Sequence, residues 1–166
     1  ALLSAVTVSS PMSIRAPGFF VQDAGGGEWS GLWVYTGEAD VSVSQGDVVS
    51  IVGTVAEWYG LTEVIVADGQ DVTTSGSNAD VATVVLETIP ADWEPYEGVV
   101  VTLADVVLTG SEDDKGKPLT NWYLAITDAF MEVDEVSGSY ASVTGILTYS
   151  WDNYKIAPRT AADLVR

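Results

Sequence analysis

The sequence predicts an all-β protein built from two copies of one small five-stranded fold, and three observations predict it. The first is an internal repeat. Gln45-Gly46-Asp47-Val48-Val49-Ser50-Ile51-Val52-Gly53-Thr54-Val55 recurs without a gap 92 positions later as Ser137-Gly138-Ser139-Tyr140-Ala141-Ser142-Val143-Thr144-Gly145-Ile146-Leu147. The second is period-two alternation. Val49, Ile51, Gly53 and Val55 share one face of the first copy, and Ala141, Val143, Gly145 and Leu147 share the same face of the second, because an even offset keeps the faces in phase. The third is the glycine in the middle of each repeated strand, Gly53 and Gly145, which predicts a bend of the kind small barrels need at their corners.

Each element follows in order. Leu2–Val8 opens the first copy as a strand. Phe19–Gln22 precedes a turn at Asp23-Ala24-Gly25-Gly26-Gly27, and Leu32–Tyr35 returns from it. The long glycine-bent strand comes next, then the aromatic turn Trp58-Tyr59-Gly60, then a closing strand over Leu61–Ala67. Asp71–Asp80, rich in Ser, Thr, Gly and Asn, reads as the linker, so the expected units are residues 1–80 and 81–166. Pro90-Ala91-Asp92-Trp93-Glu94-Pro95 can start a short helical turn. The second copy opens at Gly98–Leu108. Its expected hairpin pairs Tyr123–Thr127 with Phe130–Val133 around Asp128-Ala129. The bent strand, an aromatic turn Trp151-Asp152-Asn153-Tyr154 and a closing strand over Tyr154–Ala157 follow. Thr160–Val165 alone has a helical pattern at the C-terminal end.

Five strands with a long, bent fourth read as an OB-type barrel, so the fold class is two tandem OB-type barrels. Gly18-Phe19-Phe20-Val21-Gln22-Asp23, Gly31-Leu32-Trp33-Val34-Tyr35-Thr36-Gly37, Gly46-Asp47-Val48-Val49 and Gly53 through Thr62 resemble the OB-fold modules of secreted bacterial nucleases and surface lipoproteins. Ser142 through Leu147, Tyr149-Ser150, Asn153 through Arg159 and Ala161 through Leu164 resemble the second module of such tandems. The resemblance implies a module that accompanies a catalytic domain. No part of the chain matches the catalytic domain itself.

Composition narrows the function. The 166 residues contain no cysteine and no histidine. Disulfides, zinc–thiolate sites, imidazole-based metal sites, cysteine nucleophiles and the Ser-His-Asp triad are all excluded. The apolar fraction of 47% and charged fraction of 18% belong to a globular chain, with no apolar run long enough to span a bilayer. The net charge of −18 divides evenly: residues 1–80 carry ten acids against one base, and residues 81–166 fourteen against five. Such a field favours solubility, attracts cations and repels phosphate backbones, which makes nucleic acid an unfavoured partner. Together with the lack of cysteine and the few lysines, it reads as an extracellular or cell-surface protein. Ala1 is not preceded by a Met, and Leu2-Leu3 lacks the basic and long apolar regions of a signal peptide, so the start reads as mature or trimmed.

Chemistry could sit in two places. Trp58, Tyr59, Trp151 and Tyr154 fall at the tip of the last hairpin of each copy, with Lys155 adjacent. OB proteins bind oligonucleotides and oligosaccharides with this loop and the neighbouring strand face, and exposed rings there would stack on bases or sugars. The same rings could instead plug a barrel end or the seam between the copies. The triad Glu112-Asp113-Asp114, in a loop before Lys115-Gly116-Lys117, is the candidate metal site, with calcium as the expected ion; otherwise no cofactor is expected. Its spacing does not fit an EF-hand. Asp23 with Glu28 is a second acidic pair. With 24 acids, suitably spaced carboxylates occur by chance, so no glycosidase pair is legible. The reading is a non-enzymatic interaction or structural module whose partner is protein, glycan or its own copy through strand edges. The alternative is a substrate-binding accessory module, for nucleic acid or glycan, of a secreted nuclease.

Overall fold

The computed structural model describes residues 1–134 and 136–166. It is all-β, with no helix among the described residues beyond three single 3-10 turns, and its strands form two seven-stranded sheets. The first sheet holds β1 (Leu2–Val8), β2 (Gly18–Gln22), β3 (Gly31–Tyr35), β4 (Val48–Val52), β5 (Thr54–Trp58), β6 (Leu61–Ile65) and β7 (Val72–Gly76), in the order β5-β6-β3-β2-β1-β4-β7. The second holds β8 (Val84–Leu86), β9 (Val100–Glu112), β10 (Pro118–Thr120), β11 (Ala125–Ile126), β12 (Ser139–Ser150), β13 (Asn153–Ala157) and β14 (Leu164–Val165).

The two sheets repeat one pairing scheme. β1 pairs antiparallel with β2 and β4, β3 pairs parallel with β6, and β5 pairs antiparallel with β6. In the second sheet β9 pairs antiparallel with β10 and β12, β11 pairs parallel with β13, and β12 pairs antiparallel with β13. Thus β12 does the work of β4 and β5 together. The register agrees residue by residue at an offset of 92: Thr54↔Ile65 answers to Ile146↔Ala157, and Ile51↔Val72 to Val143↔Leu164. The opening strands keep a different offset. Leu3↔Ile51 answers to Leu103↔Val143, so Leu3 corresponds to Leu103, 100 positions on. The difference is taken up by shorter loops around β10. A left-handed residue interrupts each opening strand, Ala5 (φ 54°) and Asp105 (φ 49°), at the same offset of 100.

Gly53 separates β4 from β5, and Gly145 lies inside β12 against Val101. Neither place has room for a side chain. A Cβ on Gly53 would sit 2.4 Å from Val64 Cγ1, and one on Gly145 would sit 2.6 Å from the Ala157 carbonyl oxygen. Bending there brings each long strand close over its neighbour.

Several expected elements differ. The second copy's hairpin is β10 with β11; Phe130–Val133 is irregular, and Phe130 packs in the seam instead. Five residues of the expected linker form β7, which covers β4, so the connection is shorter. β8 was not legible at all and pairs parallel with β9. The helical pattern at Thr160–Val165 is a 3-10 turn over Ala161–Asp163 followed by β14. Val55 leaves the core face: it is 57% exposed, whereas its counterpart Leu147 is fully buried.

Each sheet wraps its own core. Val8, Phe19, Val34, Ile51 and Val64 are central to the first, and Leu103, Leu124, Ile126, Val143 and Ile156 to the second. A third cluster forms the seam between them, where Phe20 and Trp33 pack on Val100, Phe130, Ile146 and Ala157. The Phe20 and Trp33 ring centroids are 4.8 Å apart. Buried Gln22 clamps the seam, accepting from the Val100 amide at 2.8 Å and donating to the Ala82 carbonyl at 2.7 Å. Gly31 and Gly98 touch backbone to backbone, so no side chain fits at either position.

Candidate binding cleft at the seam

Beside this seam the two halves enclose a cleft of about 630 Å³. Its first wall is the outer face of β3, β5 and β6. Val34 and Val64 point into the core, so alternation turns Trp33, Tyr35, Leu61, Glu63 and Ile65 outward. Trp58 completes this wall at the end of β5. The opposite wall carries Thr148, Ser150, Trp151 and Lys155 from β12, β13 and the turn between them. Two loops close the ends: Ser13 and Arg15 from the β1–β2 connection, and Lys115 and Lys117 from the β9–β10 connection. The cleft therefore gathers the same two connections, first-to-second and fourth-to-fifth, from both halves.

The aromatic tips are exposed, not plugs. Trp58 is 62% exposed, Tyr59 81% and Trp151 67%. Both hairpins turn through two left-handed residues, Tyr59-Gly60 (φ 48° and 89°) and Trp151-Asp152 (φ 53° and 59°). Such turns favour Asn-Gly, and a bulky side chain at positive φ costs on the order of 1 kcal/mol. Structural equivalence pairs Tyr59 with Trp151, and Trp58 with Ser150. Trp58 and Tyr59 meet edge to face at 5.0 Å, and the Lys115 ammonium lies 4.1 Å above the Trp151 ring.

Of the residues the sequence singled out, Trp58, Trp151 and Lys155 line the cleft, with Tyr59 beside them at the tip. Tyr154 does not. Its ring stacks on Tyr149 at 4.8 Å, its hydroxyl donates to Glu94, and burial with that bond holds its acidity well below that of a free tyrosine. The metal triad is not brought together. Asp113 turns inward, accepting from the amides of Lys115 and Lys117 at 2.9 and 2.8 Å, and its other oxygen lies 3.4 Å from Lys155 Nζ. Burial alone would raise its pKa, but those amides and the Lys155 ammonium reverse this and hold it below the usual range. Glu112 ends β9 and Asp114 is exposed; no group of three acids converges among the described residues.

Four of the six basic residues line this one cleft. Three are neutralised. Arg15 and Lys117 both donate to Asp128, at 2.5 and 2.7 Å, Arg15 also reaches Glu132 at 3.0 Å, and Lys155 pairs with Asp113. The two cations hold Asp128 ionised below the usual range although burial opposes them. Sequence reasoning missed Trp33, Tyr35, Glu63, Arg15 and Lys117. The alternation around Val34 and Val64 marks the first three as outward-facing, but only the contact between the halves makes that face a wall.

The chain matches no family model, no curated protein and no solved structure.

Proposed function

We propose that residues 1–80 and 81–166 are two OB-type barrels, and that the chain is a non-enzymatic extracellular binding module taking an oligosaccharide in the seam cleft. The strand-pairing circuit supports the first part: in each half the first strand pairs with the second and fourth, and the third runs parallel to the fifth. One observation carries the second. The loops with which OB proteins hold oligosaccharides converge from both halves on a single cleft rimmed by exposed Trp58 and Trp151. Sugar rings present C–H faces to such indoles and hydroxyls to the polar groups between them. The cleft is apolar on its floor and nearly charge-balanced on its walls, which suits a sugar better than a polyphosphate.

Titration calorimetry and tryptophan fluorescence with tetrasaccharides of differing linkage test this. Binding by the parent chain, with affinity falling at least about tenfold in Trp58→Ala and in Trp151→Ala, is expected. The sugar should be recovered uncleaved. Failure to bind any glycan, with single-stranded DNA bound tightly at about 150 mM salt, would replace this reading with the nucleic-acid one.

A further inference from the structure

Glu63 is the feature of the cleft that the fold leaves unexplained. The residue is 5% exposed, yet among the described residues its carboxylate accepts no hydrogen bond and pairs with no cation. It lines the cleft between Trp33, its register partner on β3, and Ala56, its partner on β5. Tyr35 and Trp58 stand on the same face. A carboxylate on a residue this buried, in contact with water only through the cleft and left without a partner, is costly, and cores avoid it. The equivalent residue in the other half, Lys155, is just as buried but has Asp113. The cleft thus lacks one positive charge on its aromatic wall, and aromatic faces beside a carboxylate are the chemistry that receives an ammonium group.

We propose that the cleft binds an oligosaccharide carrying free amino groups, with Glu63 accepting from a protonated sugar amine among Trp33, Tyr35 and Trp58. This rests on the carbohydrate reading above and deepens it. Burial, with Glu57 nearby, raises the Glu63 pKa in the empty protein, so a cationic guest also holds its carboxylate ionised. The net charge of −18 would attract any polycation, so the test must separate Glu63 from the overall field.

Calorimetry at about pH 6 and about 150 mM salt compares β-1,4-linked glucose tetramer with β-1,4-linked glucosamine tetramer. The probes differ at each ring by one amino group for one hydroxyl. The parent chain should prefer the amine by about tenfold or more, the range of a charged hydrogen bond. Glu63→Gln, its folding checked by a cooperative urea transition, should lose the preference, its affinity for the amine tetramer falling by about tenfold to that for the neutral one. Glu87→Gln, which removes one charge from an exposed position, should leave the preference intact. Equal binding of both tetramers by the parent chain overturns the amine proposal and leaves the carbohydrate reading standing. A preference that survives Glu63→Gln, or falls equally in Glu87→Gln, assigns it to the net field and overturns the proposal. If neither tetramer binds, both readings fall.

Discussion

At one equivalent place the two halves carry opposite buried charges, Glu63 on β6 and Lys155 on β13, and among the described residues only the second has a partner. The partner comes from the β9–β10 loop, whose Asp113 is turned inward by two backbone amides. The corresponding loop of the first half sends Arg15 across the seam to Asp128 instead. The same asymmetry recurs at the long strand. Residues Gly98–Val101 run along the second half of β12, with the Leu147 amide donating to Val99 and the Gly98 amide to Leu147. In the first half the Ala1 ammonium donates to the Gly53 carbonyl, and Val52 at the end of β4 and Val55 on β5 are exposed.

The sharpest break of this comparison is at the charge pair. Asp113→Ala leaves the Lys155 ammonium buried and alone and should cost about 3–5 kcal/mol in urea unfolding. Glu63→Gln removes a charge that has no partner among the described residues and should leave stability equal to the parent's or raise it. Equal effects would mean that Glu63 is paired in solution after all.

The long strands give the next contrast. Leu147→Ala empties a fully buried site and should cost about 2–5 kcal/mol, while Val55→Ala should stay within about 0.5 kcal/mol. Hydrogen exchange should follow the same order, with the Val55 amide exchanging far faster than that of Leu147.

A third contrast lies at Thr62 and Tyr154, equivalent positions that reach two different acids. The Thr62 amide donates to Glu97 at 3.0 Å, and the Tyr154 hydroxyl donates to Glu94. Burial pushes Glu97 up from 4.5 to about 7 against the pull of the Thr62 amide, with Glu94 and Glu57 adding to the rise. The folded chain therefore keeps a proton that the unfolded chain releases between those values. Stability should fall as pH rises from about 4.5 to about 7, by up to about 3 kcal/mol from this group. Glu97→Gln should flatten that slope in melts taken across the window.

The smallest effect concerns ions. Screening of the −18 charge should raise the melting temperature with NaCl. Calcium at matched ionic strength should add nothing, because Asp113 is already held by Lys155 and two amides. An increment lost in Asp114→Asn would make the loop an ion site again.

The long strands and their doubling were legible in the chain alone. Alternation around Val49, Ile51 and Val143 needs no partner to be read, and Gly53 and Gly145 mark a close approach of backbones that any side chain would block. The aromatic tips were equally legible as positions, because Tyr59-Gly60 and Trp151-Asp152 are local turns. What the tips do was not, since exposure depends on what packs against them. β8, β10 and β14 are two or three residues long and carry too little pattern to see; their partners hold them in place. The cleft was decided by tertiary structure alone. Arg15 and Glu63 lie far in the chain from Lys117 and Asp128, and a charge's partner is set by distance in space, because the attraction weakens as that distance grows; this leaves no period in the sequence.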